Sequence, residues 1–125
     1  MREIREVIFR GKRANNGEWV EGDLLQTRYH SGHIEYQIMP QTPVSSAYPV
    51  LPETVGQYTG LTDKNGVRIF EGDIIEYHGK NGKIEYSECA TFDIIFDTCN
   101  TDFKDIYERD IEIIGNIHDN PELME

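Results

Sequence analysis

The chain has 125 residues, which is enough for one compact domain or for two small modules that share a core. Hydrophobic residues make up 38% of it, with seven Tyr, five Phe and one Trp, and this content excludes a disordered protein. The formal net charge of −11 opposes binding to nucleic-acid phosphates. Because no apolar run reaches membrane-spanning length and the first residues lack a secretory signal, we expect a cytoplasmic protein that contacts neither membrane nor nucleic acid.

Residues 1–39 are predicted to form an N-terminal β module. Asn16-Gly17 predicts a hairpin turn, because both residue types tolerate the positive φ of a type I′ turn. Strands are expected on either side of it and after a second hairpin turn at residues 29–33, where apolar and polar residues alternate. The predicted strands are residues 7–9, 19–20, 24–27 and 34–38.

Residues 40–54 contain four of the five prolines and are predicted to be a linker that packs against a module. Residues 55–125 are predicted to form a C-terminal β module, packed with the first into one compact unit. Its expected strands are residues 55–58, 69–70, 74–77, 83–86, 91–96 and 111–114, with a turn over 79–82 and a helical turn over 101–109.

The same series of residue types occurs in both modules. An aromatic residue, a glycine, Asn-Gly, two bulky apolar residues and Glu-Gly-Asp follow in the same order, and this repeat indicates duplicated structure. We expect its glycines to occupy equivalent turns and its large apolar residues to lie in the core, as in a small, strongly bent β barrel. The repeat residues are Trp19, Gly22 and Asp23 in the first copy and Phe70, Gly72 and Asp73 in the second.

Three segments resemble the YopX family of phage and prophage proteins: residues 9–23, residues 58–75 and residues 114–123, the last reading from Ile114-Gly-Asn to Pro121-Glu-Leu123. The resemblance implies an SH3-type β-barrel architecture, an origin in a phage or prophage of a bacterial host, and no established activity. Together with the repeat, it predicts a mainly β protein of two related SH3-type β-barrel modules joined by a proline-rich segment.

Few residues are candidates for catalysis or metal binding. His30 and His33 flank a tight turn, but a metal site needs further ligands, and no Cys or His lies near them in sequence. Each Glu-Gly-Asp places two carboxylates across a glycine, whereas catalytic carboxylates are held on rigid elements around a cleft. Cys89 and Cys99 have no adjacent histidine, and we expect both to be free thiols. We therefore predict no catalytic residue, no cofactor and no metal site.

Charge is distributed unevenly along the chain. A basic cluster near the N-terminus, predicted to pair with acidic residues, consists of Arg2, Arg5, Arg10, Lys12 and Arg13. Residues 88–125 contain eleven acidic residues against two basic ones. The candidate surface for a basic partner is the acidic stretch that contains Asp102, Asp105, Glu108, Asp110 and Glu112.

Three function classes follow from these features. The first is a non-enzymatic phage accessory protein that acts through protein contacts, and we expect it to be a homo-oligomer whose basic and acidic ends complement each other. The second is an acidic decoy that occupies the nucleic-acid groove of a host protein. The third and weakest is a hydrolase that uses carboxylates from both Glu-Gly-Asp turns.

Overall fold

The computed structural model describes residues 6–40, 46–87, 91–96, 100–102 and 110–124, and of residues 100–102 it describes the backbone alone. The protein is mainly β, as predicted, and the described strands form two antiparallel sheets. The chain divides into two compact units, residues 1–57 and residues 58–125. Among the described residues, no helix has the length and apolar character that crossing a membrane requires.

The sheet of the first unit has the strand order β4-β3-β2-β1-β5. Its strands are β1 (Phe9–Lys12), β2 (Trp19–Arg28), β3 (Ile34–Met39), β4 (Tyr48–Pro49) and the first two residues of β5 (Gly56–Thr62). β2 has two partners, because its first part pairs with β1 and its part from Asp23 to Arg28 pairs with β3. The sheet thus changes partner along a single long strand.

This sheet curls until the end of β4 lies beside the end of β1. Arg13 forms a bridge with Val50, and Leu51 N donates to Lys12 O at 2.9 Å. A Cβ on Gly11 would lie 3.1 Å from the Cβ of the buried Val50, so the missing side chain makes room for the curl. The contact is a single bridge and not a ladder of strand pairs, so the sheet is not a closed barrel.

The described part of the predicted linker, residues 46–54, belongs to the first unit. Pro49 lies in β4 at the sheet edge, where the missing N–H of proline is tolerated. A short 3₁₀ helix, Pro52–Thr54, follows, and the buried Thr54 accepts a hydrogen bond from Lys12 N at 2.9 Å. A linker between two modules is therefore not confirmed.

The second unit contains a sheet of strand order β10-β9-β8-β7-β11 and a hairpin that the rest of β5 forms with β6. These strands are β6 (Arg68–Phe70), β7 (Asp73–Tyr77), β8 (Lys80–Tyr86), β9 (Phe92–Phe96), β10 (Asn100–Asp102) and β11 (Ile111–Asn116). Its core is a cluster of buried apolar side chains, Ile69, Ile75, Ile84, Ile94, Phe96 and Ile111. Among the described strands neither sheet closes on itself, so the predicted SH3-type barrels are not confirmed.

Part of the predicted helical turn over 101–109 is strand, since residues 101 and 102 belong to β10. The rest of that segment, residues 103–109, lies outside the described residues.

Both Asn-Gly pairs lie in hairpin turns with left-handed glycines, as predicted, with φ of 74° at Gly17 and 81° at Gly66. The predicted type I′ geometry is wrong, because Arg13 N bonds to Glu18 O and Asp63 N bonds to Val67 O, which closes loops longer than two residues, and neither asparagine has a positive φ. A glycine that follows a type I turn is the usual solution for a three-residue loop such as residues 64–66.

The predicted turn over residues 79–82 is misplaced. The reversal occurs at His78 and Gly79, whose φ values of 50° and 81° suit a two-residue type I′ turn. Gly82 lies inside β8, and a Cβ at this position would lie only 2.5 Å from Ile94 Cγ2. Packing against β9, and not a turn, requires this glycine.

The prediction that Gly22 and Gly72 occupy equivalent turns is wrong. Gly72 lies in the turn between β6 and β7 with φ of 93°, whereas Gly22 lies within the continuous strand β2. Gly22 is needed because a Cβ there would overlap the backbone of Met39 and Pro40. Glycine is therefore required at Gly22 by the close approach of backbone and at Gly72 by its positive φ.

The predicted core positions also differ. Phe70 is 1% exposed and its ring centroid lies 5.6 Å from that of Tyr58, so its core position is confirmed. Trp19 is only half-buried, so its prediction as a core residue is wrong.

Gly22→Ala should destabilise the first unit by about 1–3 kcal/mol or more, because the new methyl group must displace backbone. Gly17→Asn is the matched control, since nothing lies near a Cβ at Gly17 and Asn tolerates the left-handed region. Urea unfolding of both variants measures the difference. Equal losses would contradict a close approach at Gly22.

Phe70→Ala should lower the free energy of unfolding by about 3–5 kcal/mol, as expected for removing a fully buried ring. Trp19→Ala should cost clearly less, because its side chain is half-buried. Denaturant titrations monitored by circular dichroism compare the two variants. A larger loss for Trp19→Ala would contradict the burial pattern.

Candidate interaction surface

Aromatic rings hold the described basic residues of the N-terminal cluster. Arg10 Cζ lies 4.7 Å from the centroid of the Trp19 ring, and Lys12 Nζ lies 5.6 Å from it. Lys12 and Trp19 are register partners, and alternation along β1 places Arg10 on the same face of the ladder. Two cations therefore share one indole ring, and the predicted pairing of Arg10 and Lys12 with acidic residues stays a prediction.

Arg13 stacks on a second aromatic ring, with Cζ 4.1 Å from the ring centroid of Tyr48. Its Nη1 lies 3.8 Å from Oε2 of Glu18, whose side chain is 73% exposed, so this ion pair is weak. The Nε of Arg13 is buried, and no described residue accepts a hydrogen bond from it. Stacking on the ring, more than the ion pair, therefore sets the position of this guanidinium.

A half-open cavity of about 280 Å³ lies where the β1–β2 turn meets β4. Its walls are formed by Arg13, Ala14, Asn15, Tyr48 and Pro49. Ala14 N donates to Pro49 O at 2.9 Å and so joins the two sides. Small-molecule pockets begin at about 300 Å³, so this cavity suits a group the size of one side chain.

We call Arg13, Tyr48 and the adjoining cavity the cationic–aromatic surface. Sequence reasoning found its cation and missed the role of Tyr48, because that residue was assigned to a linker. The available signal was the apolar character of Tyr48 and Val50, which is unusual for a solvated tether.

The two units differ strongly in charge. Residues 1–57 contain six basic and seven acidic residues, a net charge of −1, whereas residues 58–125 contain six basic and sixteen acidic residues, a net charge of −10. An anionic partner is therefore repelled far less by the first unit than by the second.

Only part of the predicted acidic partner surface falls among the described side chains. Asp110 Oδ2 lies 3.6 Å from His78 Nε2, and Glu112 Oε2 lies 3.3 Å from Lys64 Nζ. Asp105, Glu108 and the side chain of Asp102 lie outside the described residues, so the surface stays a prediction.

The Glu-Gly-Asp segments have different surroundings. Asp73 is 2% exposed and accepts a hydrogen bond from Phe70 N at 2.7 Å, which ties it to the turn between β6 and β7. Glu21 and Asp23 are exposed on β2. This geometry gives Asp73 a structural role, and it does not gather the paired carboxylates of one segment around a cleft.

Two structural carboxylate and amide sites were missed from sequence. The buried Asp63 accepts hydrogen bonds from Asn65 N, Val67 N and Ile113 N, at 2.9, 2.9 and 3.1 Å. In the C-terminal segment, Asn116 Oδ1 accepts bonds from the two backbone N–H groups of residues 118 and 119, at 3.0 and 2.9 Å. That segment carries much of the family resemblance, and here its residues build a turn.

His30 and His33 lie at the tip of the β2–β3 hairpin. His33 stacks on Tyr29, with ring centroids 5.7 Å apart, and Tyr29 donates its hydroxyl to Glu35 Oε2 at 2.8 Å. Among the described residues, no three His, Cys, Asp or Glu side chains come together in a metal-binding arrangement. Cys89 and Cys99 lie outside the described residues.

Tyr29 and Glu35 shift each other's pKa in opposite directions. The hydrogen bond to Glu35, then its charge, raises the pKa of Tyr29 above 10.0, while hydrogen bonds from Tyr29 and then from Gln37 hold the pKa of Glu35 below 4.5. The raised pKa of Tyr29 stabilises the folded tip at pH values below the pKa of this tyrosine in the unfolded chain. This contribution is lost as the pH rises through the pKa of Tyr29 in the folded protein. The lowered pKa of Glu35 stabilises the folded tip at pH values above the pKa of this glutamate in the unfolded chain. This contribution is lost as the pH falls through the pKa of Glu35 in the folded protein.

Glu35→Gln should therefore bring the pKa of Tyr29 down towards 10.0. The measurement is tyrosinate absorbance against pH, with the titration of Tyr29→Phe subtracted to isolate one of the seven tyrosines. Glu53→Gln, at another exposed glutamate of the first unit, is the control. An unchanged Tyr29 titration in Glu35→Gln would contradict the hydrogen bond.

Comparison with known proteins supports a shared fold and family. The crystal structure of protein EF1440 from Enterococcus faecalis is similar to this chain, with a TM-score of 0.58 and 25% sequence identity over 96% of this chain and 99% of that chain. No curated protein matches the sequence. The family model described as YopX protein matches residues 8–125. The chain therefore belongs to the YopX family.

Proposed function

We propose that this YopX-family protein is a non-enzymatic phage or prophage accessory protein that acts in the bacterial cytoplasm by contacting other proteins. The cationic–aromatic surface carries this proposal. Its partner is an acidic protein segment, and the acidic second unit of another copy is the first candidate for it.

Stacking prepares Arg13 for binding a carboxylate. A guanidinium whose face lies on a ring still directs its N–H donors outwards in its own plane, where a carboxylate is bound in bidentate fashion. Because Arg13 is already ordered by Tyr48, binding costs less side-chain entropy than at a solvated arginine. The adjoining cavity, with Pro49 and Tyr48 in its walls, adds room for one apolar or aromatic side chain.

Charge favours a protein partner over a nucleic acid. The first unit is almost neutral at −1, but the whole chain carries −11, and a polyanion experiences this charge along its length. A short acidic segment carries fewer charges than a nucleic acid and is therefore repelled less.

The second candidate function is the acidic decoy. It is favoured by the net charge of −10 on residues 58–125, which suits a basic groove of a host protein. In that case the partner is a basic nucleic-acid-binding protein, and the cationic–aromatic surface takes no part in binding it.

We also infer that the two units descend from one duplicated SH3-type module. The hairpins β1–β2 and β5–β6 support this, because each is closed by Asn-Gly with a left-handed glycine.

A pull-down from bacterial lysate, read by mass spectrometry, tests the proposal with three baits: the natural protein, Arg13→Gln, and Lys80→Gln as a control at an exposed cation of the second unit. Arg13→Gln should weaken capture of an acidic partner by about tenfold, which corresponds to about 1.4 kcal/mol, close to the value of one hydrogen bond to a charged group. Lys80→Gln should retain it.

Equal capture by Arg13→Gln would contradict the proposed surface, and capture of a basic nucleic-acid-binding protein by all three baits would favour the decoy. Fluorescence anisotropy with DNA and RNA should show no saturable binding at about 150 mM salt, near physiological ionic strength. Micromolar binding there would contradict a protein-only role.

A further inference from the structure

The second part of β2 has an open edge. β1 pairs with β2 only as far as Gly22, whereas β3 pairs with the opposite edge from Asp23 to Arg28. No described strand pairs with the outer edge of residues 24–28.

The backbone groups on this edge can be assigned by the alternation of an antiparallel ladder. Tyr29 N donates to His33 O at 2.9 Å in the same register as the β2–β3 pairs, so every second residue before it, Thr27 and Leu25, also directs its N–H and C=O to β3. Leu24 and Gln26 therefore direct theirs to the open side. The bond from Arg13 N to Glu18 O, in register with the β1–β2 pairs, gives the same alternation.

The middle of this edge, residues 24–27, lacks the features that normally prevent strand pairing, and the charged Arg28 lies at its end. Natural edges carry prolines, lysines, bulges or inward charges. Residues 24–27 are Leu-Leu-Gln-Thr, and the β2–β3 register continues through them without a bulge. The edge strand β4, in contrast, contains Pro49. Leu25 is 38% exposed, so the open edge also presents an apolar side chain to water.

We propose that this edge pairs antiparallel with the same edge of a second copy, about a two-fold axis at which Leu25 faces the partner's Leu25. In an antiparallel pair, two residues that face each other either both direct their N–H and C=O groups towards the other strand or both direct them away from it. A two-fold axis between two copies of one strand must therefore lie where a residue faces its own copy. Centring on Leu25 pairs Leu24 with the partner's Gln26, and Gln26 with the partner's Leu24. The two leucines then form a close non-hydrogen-bonded pair and are buried together.

This inference adds a two-fold dimer surface to the proposed protein-interaction function and rests on that function. It uses residues outside the cationic–aromatic surface. An edge variant should lose the two-fold dimer formed through β2 and keep the capture of an acidic partner that depends on Arg13, so the two proposals fail separately.

The test is sedimentation velocity of Leu25→Lys, of Leu25→Glu, and of their equimolar mixture. Each variant alone should dimerise at least about tenfold more weakly than the natural protein, because like charges then face each other across the axis. The mixture should recover the dimer, since Lys faces Glu. Val67→Lys is the matched control, because Val67 is 51% exposed and lies in the second unit.

Gln26→Pro provides a second variant, because it removes an N–H that faces the open side and leaves the bonds to β3 in place. It should weaken the dimer by a similar factor with an unchanged circular dichroism spectrum. A natural protein that stays monomeric at all concentrations overturns the proposal, as does a dimer that persists in both Leu25→Lys and Gln26→Pro. If each single variant is monomeric and the mixture does not recover the dimer, the register in which Leu25 faces the partner's Leu25 is overturned.

Discussion

The close approach of backbone to backbone at Gly22 is the constraint on which the first unit depends. Without a Cβ at this position, the end of β3 and the start of the proline-rich segment lie directly against β2. β2 can then leave β1 and continue with β3, and the chain that follows β3 returns to β1 at Val50. The open edge beyond Gly22 results from this change of partner.

The cationic–aromatic surface shows how a nearly neutral unit can still attract an anion. Exposed ion pairs contribute little, because water screens them and both side chains must be ordered. Stacking on Tyr48 orders Arg13 more than its weak ion pair with Glu18 does. This ordering takes place within the folded unit, and the guanidinium stays charged for a partner.

The sequence predicted the Asn-Gly turns, which depend on local dihedral angles. It failed for the glycines whose roles depend on contacts with residues far away in the sequence. The turns at Asn16-Gly17 and Asn65-Gly66 are confirmed, because positive φ at glycine is a local requirement. Gly22 and Gly82 have the appearance of turn glycines in sequence, but Met39 and Ile94 from neighbouring strands determine their roles. The position of Tyr48 in a strand was missed for the same reason, because a proline-rich segment at a sheet edge and a proline-rich linker have the same composition.

Asp63 has a consequence for the order in which the second unit folds. Its carboxylate binds two N–H groups of its own turn and one from Ile113, fifty residues further along the chain. The hairpin of β5 and β6 can form by itself, because its contacts are local, but the third bond must wait for the closure of a long loop. We expect β11 to dock late, and its arrival at Asp63 to convert a transient hairpin into a permanent part of the native state.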